Sequence, residues 1–249
     1  MRLPNFGCAV FVARSLMTVG ESEGLRAIEV GANGIYGDYR SIVDLHGGFD
    51  EYVGVDISAG PGVDVVCDVA DLVDKFGADS FDVVIATELI EHVQDWRKAV
   101  SQLKRVCRPG GVVVVTTRSM GYGYHAAPFD FWRFELGDMR RIFADCELLL
   151  LDTDLEEPGV FAAARKPPGL LEGDLSGLDL YSIVEGRRVA QADSCGVNRA
   201  RFTLLILRAK FWQLGRWLFT YGEKDYGQIF GSQIKEIKAL FSLMRGGPR

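Results

Sequence analysis

The chain has 249 residues, 48% of them hydrophobic and 25% charged, with a net charge of −6. That bounds it to one large domain, or one domain with an appendage, and excludes a membrane-protein composition. Its five scattered cysteines form no C-x-x-C pair and it has only three histidines, His46, His92 and His125. These counts exclude a disulfide framework, suit a reducing compartment and lead us to expect no metal.

Charge is unevenly placed. From Arg199 onward ten basic residues stand against three acids, giving the tail +7 and leaving −13 on residues 1–198. An acidic body of this kind argues against nucleic acid as a partner. Near the N-terminus, CAVFVARSLMTV is apolar, but Arg14 interrupts it and no A-x-A-like cleavage site is evident. We expect a helix packed on the domain, not a signal peptide, and a cytoplasmic protein.

The first strand is RAIEVG, continuous and apolar as a buried parallel strand should be. It runs into GANGIYG, with Gly31, Gly34 and Gly37 three apart. Glycines after a strand let backbone approach a ligand, and the helix that follows presents free N–H groups; a plain tight turn fits equally well. The second strand, EYVGVD, ends on Asp56, 25 residues after Gly31. An acid there accepts from ribose hydroxyls in dinucleotide-type folds, or else caps a loop.

The link ISAGPG to the third strand, VDVVCD, is too short for a helical crossover, which needs about a dozen residues. Asp68 ends that strand, and ADLVDKF gives a short helix with Leu72, Val73 and Phe76 inward. FDVVIA is the fourth strand and enters TELIEHV. In DWRKAVSQLKRVC, Trp96, Val100, Leu103 and Val106 share one helical face. RPGG stops that helix before the fifth strand, VVVVTT. After a long aromatic loop, RSMGYGYHAAPFDFWRFE, a helix carries Leu136, Met139, Ile142 and Phe143 inward. ELLLLDTD and GVFAAAR close the sheet, and Lys166-Pro167-Pro168-Gly169 reads as a boundary. We therefore divide the chain into a domain at 1–168 and an acidic linker with a basic amphipathic extension at 169–249. In the extension Leu204, Leu207, Phe211, Leu214 and Leu218 form a stripe. It is expected to pack on the domain or a second subunit as a homodimer, or to lie on an anionic membrane at the inner face.

Ligands of open α/β sheets bind outside the carboxyl ends of the strands. Here those ends carry Glu29, Gly31, Asp56, Asp68, Thr87 and Glu88. Residues 25–166, through E-V-G-A-N-G, Y-V-G-V-D, V-V-C-D-V-A-D-L, F-D-V-V-I-A-T-E-L-I-E-H-V and R-P-G-G, resemble a class I S-adenosylmethionine-dependent methyltransferase of the bacterial, type 11-like kind. The resemblance implies a Rossmann-like doubly wound sheet of seven strands with an antiparallel last strand, GVFAAAR, and S-adenosyl-L-methionine as cofactor. It implies that Glu29 lies near the methionine amino group and that Gly31 gives the backbone room. Asp56 would hold the ribose hydroxyls, while Asp68 and the Val69 backbone would meet the adenine. Thr87 and Glu88 would line the cavity where cofactor and substrate meet. Asn33 and Ile35 stand where the family often has glycine, so the turn is expected to be rebuilt around Gly34 and Gly37.

The run H-x-x-P-x-D-F-W-R-F resembles a loop after strand five in a bacterial subset of these enzymes, where substrate-contacting elements lie. Two readings stay open for it. Trp132 and Arg133 touch substrate, or Trp132 and Phe134 are core and Arg133 pairs with Asp130. Transfer to a hydroxyl requires proton removal, for which histidine suits neutral pH. His125 is the expected base, with Asp130 as its orienter or substitute, and His92 is read as structural. The expected reaction is O-methylation of a sugar, glycan or other small polar metabolite. The alternatives are N- or C-methylation and a non-catalytic Rossmann-like binding protein. An NAD enzyme should show G-x-G-x-x-G, which is absent.

Overall fold

The computed structural model describes residues 6–20, 23–33, 39–125 and 129–192. All belong to one of the two compact units of the chain, Met1–Leu205. Gly34, Gly37 and the amphipathic extension lie outside the described residues. In chain order the elements are α1 (Phe6–Leu16), β1 (Leu25–Val30), α2 (Arg40–His46), β2 (Phe49–Asp56), β3 (Val65–Val66), α3 (Leu72–Phe76), β4 (Phe81–Thr87), α4 (Trp96–Val106) and β5 (Cys107–Arg118). They continue with β6 (Trp132–Arg133), α5 (Leu136–Ile142), β7 (Glu147–Thr153), β8 (Gly159–Arg165), β9 (Leu180–Ser182) and β10 (Arg187–Val189).

Seven strands form one sheet in the order β3-β2-β1-β4-β5-β8-β7. All pairs from β3 to β5 are parallel, while β8 runs antiparallel to both β5 and β7. This is the Rossmann-like methyltransferase sheet with its reversed strand at GVFAAAR. The central strands are apolar runs because helices cover both faces. One face packs Val84, Ala86, Val113 and Val115 against Trp96, Val100, Leu103 and Met139. The other sets Val83, Ile85, Val112 and Val114 against Cys8, Phe11, Val12 and Leu16 of α1. The N-terminal apolar stretch is thus a helix packed on the domain. Among the described residues no helix is long and apolar enough to cross a membrane.

Helix α4 begins at Asp95, whose carboxylate accepts from the Lys98 N–H at 3.1 Å. It carries one charge inward, Lys104, which is 1% exposed and donates to both oxygens of Asp145 at 2.7 and 2.8 Å. The β2–β3 link contains no helix, as its length requires. It folds so tightly on β2 that a Cβ on Gly54 would stand 1.9 Å from the Gly62 carbonyl oxygen.

The boundary expected at Pro168 differs from the structure. Residues 174–192 fold back on the domain and bury Leu178, Leu180, Val189 and Ala192 in its core. A second sheet, β10-β9-β6, pairs them with the aromatic loop, Trp132 opposite Ser182 and Arg133 opposite Tyr181. Arg97 of α4 holds the segment by donating to the carbonyls of Leu175, Leu178 and Ala190 at 2.9, 2.7 and 2.5 Å. This stretch has no hydrophobic periodicity of its own and is turn-rich, so these long-range bonds left no local signal.

Candidate active site

The parallel strands end level with one another. Val30 pairs with Val55 and Ala86, so Gly31, Asp56 and Thr87 follow side by side. Glu29 is 3% exposed and accepts a short hydrogen bond from the Tyr52 hydroxyl. Gly31 has φ +90°, a left-handed conformation that suits glycine, and its N–H donates to the Val55 carbonyl at 2.8 Å. A Cβ there would meet Leu89 at 3.4 Å, so the turns after β1 and β4 abut.

Asp56 accepts from the backbone and hydroxyl of Ser58 at 2.9 and 3.0 Å, and from the Asn33 N–H at 3.4 Å. The Asn33 amide donates to the Ser58 hydroxyl at 3.3 Å, which ties the glycine turn to the acid. Asp68 caps the turn Val69–Asp71 by accepting from Ala70 N–H at 2.8 Å, with Val69 buried beneath. These acids and bare backbone line one edge of the sheet, the arrangement that holds a nucleoside cofactor in such folds.

Beyond Thr87 the chain turns at Glu88, a non-glycine residue with φ +52°. Left-handed backbone at such a residue costs roughly 1–2 kcal/mol, and the N–H of Glu88 is held by the Thr116 carbonyl at 2.9 Å. Strand β5 then divides its polar end between two carboxylates, because alternate side chains point to opposite faces. Thr116 donates to Glu88 at 3.1 Å and Arg118 pairs with the same carboxylate, while the thiol of Cys8 in α1 also reaches it at 3.7 Å. Thr117, between them, donates to Glu91 at 2.8 Å. Burial, and then the Glu91 charge, push the Glu88 carboxyl up to about 7 against the pull of Arg118.

Glu91 is completely buried, and its second oxygen, Oε1, has no hydrogen-bond partner among the described residues. His92 Nε2 lies 3.9 Å and His125 Nε2 3.8 Å from that oxygen. The two imidazoles meet edge to face, 4.7 Å between centroids. His92 Nδ1 contacts the Phe129 carbonyl at 2.5 Å. Burial, then the charge of His125, push His92 down to about 4. On the far side of His125, Nδ1 stands 3.0 Å from Asp130, a close contact not aligned as a hydrogen bond. The structure thus brings His125 beside Asp130, whose carboxylate accepts from the His125 backbone N–H at 2.9 Å. The sequence missed Glu91 and His92 as members of the cluster, although Glu88-x-x-Glu91-His92 places two acids and a histidine on one short turn.

Trp132 and Arg133 are placed differently from the substrate-contacting reading. The Trp132 indole is fully buried and donates to the carbonyls of Val93 and Gln94. Arg133 is 1% exposed and spends all five N–H donors: two on Asp130 and three on the carbonyls of Tyr122, Gly123 and Trp132. Neither has an atom left for a substrate, and the core reading describes them. Burial by itself would raise the Asp130 carboxyl, but Arg133 and His125 hold it down at about 2. The ring this loop leaves outward is Phe129, 45% exposed.

Fold and site together define a class I methyltransferase, and the comparisons with known proteins agree. The family model described as "Methyltransferase domain" matches residues 11–144, more than half of the chain. The chain belongs to that family and is an S-adenosyl-L-methionine-dependent methyltransferase. A chain from the complex of the Haloferax volcanii Trm112 methyltransferase activator with a methyltransferase has a similar fold. Its TM-score is 0.51 at 16% identity, over 65% of this chain and 90% of that one. The Haemonchus contortus phosphoethanolamine N-methyltransferase 2, solved with S-adenosyl-L-methionine, gives 0.48 at 17% identity over 64% and 52%. Phosphoethanolamine N-methyltransferase 2 of Caenorhabditis elegans is 36% identical over 58 residues, which is 23% of this chain and only 13% of that protein.

Proposed function

We propose that this methyltransferase acts on a hydroxyl of a small polar acceptor, a sugar, glycan or polar metabolite. The observation that carries this reading is the cluster of Glu88, Glu91, His92 and His125 where the β4 turn meets the aromatic loop. A hydroxyl must lose its proton as its oxygen attacks the sulfonium methyl, and groups able to take or share that proton are what the cluster supplies. Alignment of donor and acceptor does the remainder of the work. The cofactor side belongs to Glu29, Gly31, Asp56, Asp68, Val69 and Thr87. In the acceptor side His125 is the group we assign to proton removal, oriented by Asp130.

The segment shared with an N-methyltransferase favours a second reading, methylation of an amine. An amine carries its own lone pair once neutral and needs no such cluster. The deciding experiment incubates the protein and labelled cofactor with matched hydroxyl and amine acceptors and measures label transfer. Transfer to hydroxyls that collapses in His125→Ala supports our reading; transfer to amines alone, unchanged in that variant, overturns it.

A further inference from the structure

The expectation of no metal rests on the absence of a C-x-x-C pair and the scarcity of histidines, yet two of the three histidines converge on one carboxylate. We propose that Glu91, His92 and His125 bind a divalent transition-metal ion. One ligand atom from each of the three lies within 4.8 Å of the other two. Glu91 Oε1, fully buried and without a hydrogen-bond partner among the described residues, points between the two ring nitrogens. A buried carboxylate oxygen left in this state is costly unless a proton, a hydrogen-bond donor or a cation completes it, and two imidazole nitrogens beside it favour the cation.

The surroundings of the three ligands argue for a metal beyond their mere proximity. Ligating histidines fix their other nitrogen on a carbonyl or carboxylate, and ligating carboxylates are themselves hydrogen-bonded. Two of those supports are present as hydrogen bonds, and for His125 the Asp130 carboxylate stands at contact distance without being aligned as one. His92 Nδ1 is on the Phe129 carbonyl at 2.5 Å, His125 Nδ1 is 3.0 Å from Asp130, and Glu91 Oε2 accepts from Thr117 at 2.8 Å. Both Nε2 atoms are thereby left to face Glu91 Oε1. Asp130 is in turn clamped by Arg133, so the support for His125 is itself rigid.

Donors around a tetrahedral zinc, each about 2.0–2.1 Å from the ion, stand roughly 3.3 Å apart. To reach that spacing the Glu–His separations of 3.8 and 3.9 Å need to shorten by about half an ångström, and the widest pair of the three, within 4.8 Å, by up to about 1.5 Å. Two imidazoles and a carboxylate favour zinc, iron(II) or cobalt(II) over magnesium and calcium, which prefer all-oxygen sites. Three protein ligands leave coordination positions open. An acceptor hydroxyl is the ligand these would take, and for that ligand alone the inference rests on the hydroxyl reading. With an ion in place, His125 acts as a ligand in place of the proton-removing role assigned to it above, and loss of hydroxyl transfer in His125→Ala is expected in either case.

The test uses the full chain, stripped with a chelator and titrated with zinc(II) against a chromophoric competitor, and with cobalt(II) while its visible absorption is followed. Binding of S-adenosylhomocysteine is read in the same samples from the shift in melting temperature. About one equivalent of metal per chain is expected, lost separately in Glu91→Gln, His92→Gln and His125→Gln while the cofactor product still binds. Thr117→Val, which keeps all three ligands, should weaken metal binding roughly 10–100-fold. If Glu91→Gln fails to fold, the half-buried His125 supplies the decisive variant. No stoichiometric metal in the wild-type chain, or equal metal in wild type and the ligand variants, overturns the proposal. Neither arm involves an acceptor, so failure of the hydroxyl reading leaves this result standing and is seen only in label transfer.

Discussion

Arg133 grips both carboxylate oxygens of Asp130, at 2.6 and 2.7 Å, three residues along the same loop. Both side chains are inaccessible to solvent, so the pair holds the loop that presents His125 rather than meeting a ligand. Removing one partner of a buried pair costs roughly 3–5 kcal/mol. Arg133→Met should lower the melting temperature strongly, and Asp130→Asn should do the same. A surface-like effect within a degree or two, measured by thermal unfolding, would show that the loop does not depend on the pair.

Asp56 ends β2 at the carboxyl edge of the sheet, with its hydrogen bonds confined to neighbouring turns. Asp56→Ala should weaken binding of S-adenosylhomocysteine without unfolding the chain. At 100 times the dissociation constant a ligand stabilises a fold by ~2.7 kcal/mol, so the wild type should show a clear melting shift. The variant should show little shift at the same concentration, and NAD should produce none in either protein.

Lys104 and Asp145 form a second buried pair, at 2.7 Å. Burial alone would raise the Asp145 carboxyl, but hydrogen bonds from Lys104 and the Gly173 N–H leave it below the ordinary value. A depressed carboxyl stabilises the fold above its unfolded pKa, about 3.9, and loses that contribution as pH falls through the folded pKa. Asp145→Asn should therefore be less stable than wild type at pH 6, and the gap should narrow towards pH 2. Denaturant midpoints across that range measure it; a gap constant with pH would mean that charge plays no part.

Arg97 is the anchor of residues 174–192, through the three carbonyls it bonds. The Leu175 and Leu178 bonds are part-buried and the Ala190 bond exposed, so each carbonyl left without a donor costs less than the roughly 1–3 kcal/mol of a fully buried group. In Arg97→Ala, amide exchange at Leu180 and Tyr181 should accelerate well beyond that at Val113 and Val114 in the central strand. Uniform acceleration would instead indicate general destabilisation.

What could be read from the sequence follows from how local each cause is. Strands β4 and β5 announce themselves through the unbroken apolar runs at 83–86 and 112–115, and Glu88 stands just after the end of β4. Helix α4 was legible from the spacing of Trp96, Val100, Leu103 and Val106, all of them buried. The loop was ambiguous because an aromatic side chain reads alike in a core and at a ligand. Only the partners of Trp132 and Arg133, set by strand pairing with residues far along the chain, separate the two. The meeting of His92 with His125 is long-range in the same sense, and nothing beside either histidine foretells the other. The segment 174–192 failed for a related reason, since Arg97 supplies its bonds from a distant helix.

Helix α1 reaches the turn at Glu88 through the thiol of Cys8. The Cys8 sulfur is completely enclosed and lies 3.5 Å from the Thr116 hydroxyl, with Glu88 next to it. Burial, followed by the Glu88 charge, drives its thiol far above the ordinary range, so it is inert where it sits. A thiol reagent can reach it only while the helix is lifted from the sheet. Its rate of modification is therefore a clock for that lifting, and a ligand that locks the helix down would slow the clock without touching the sulfur.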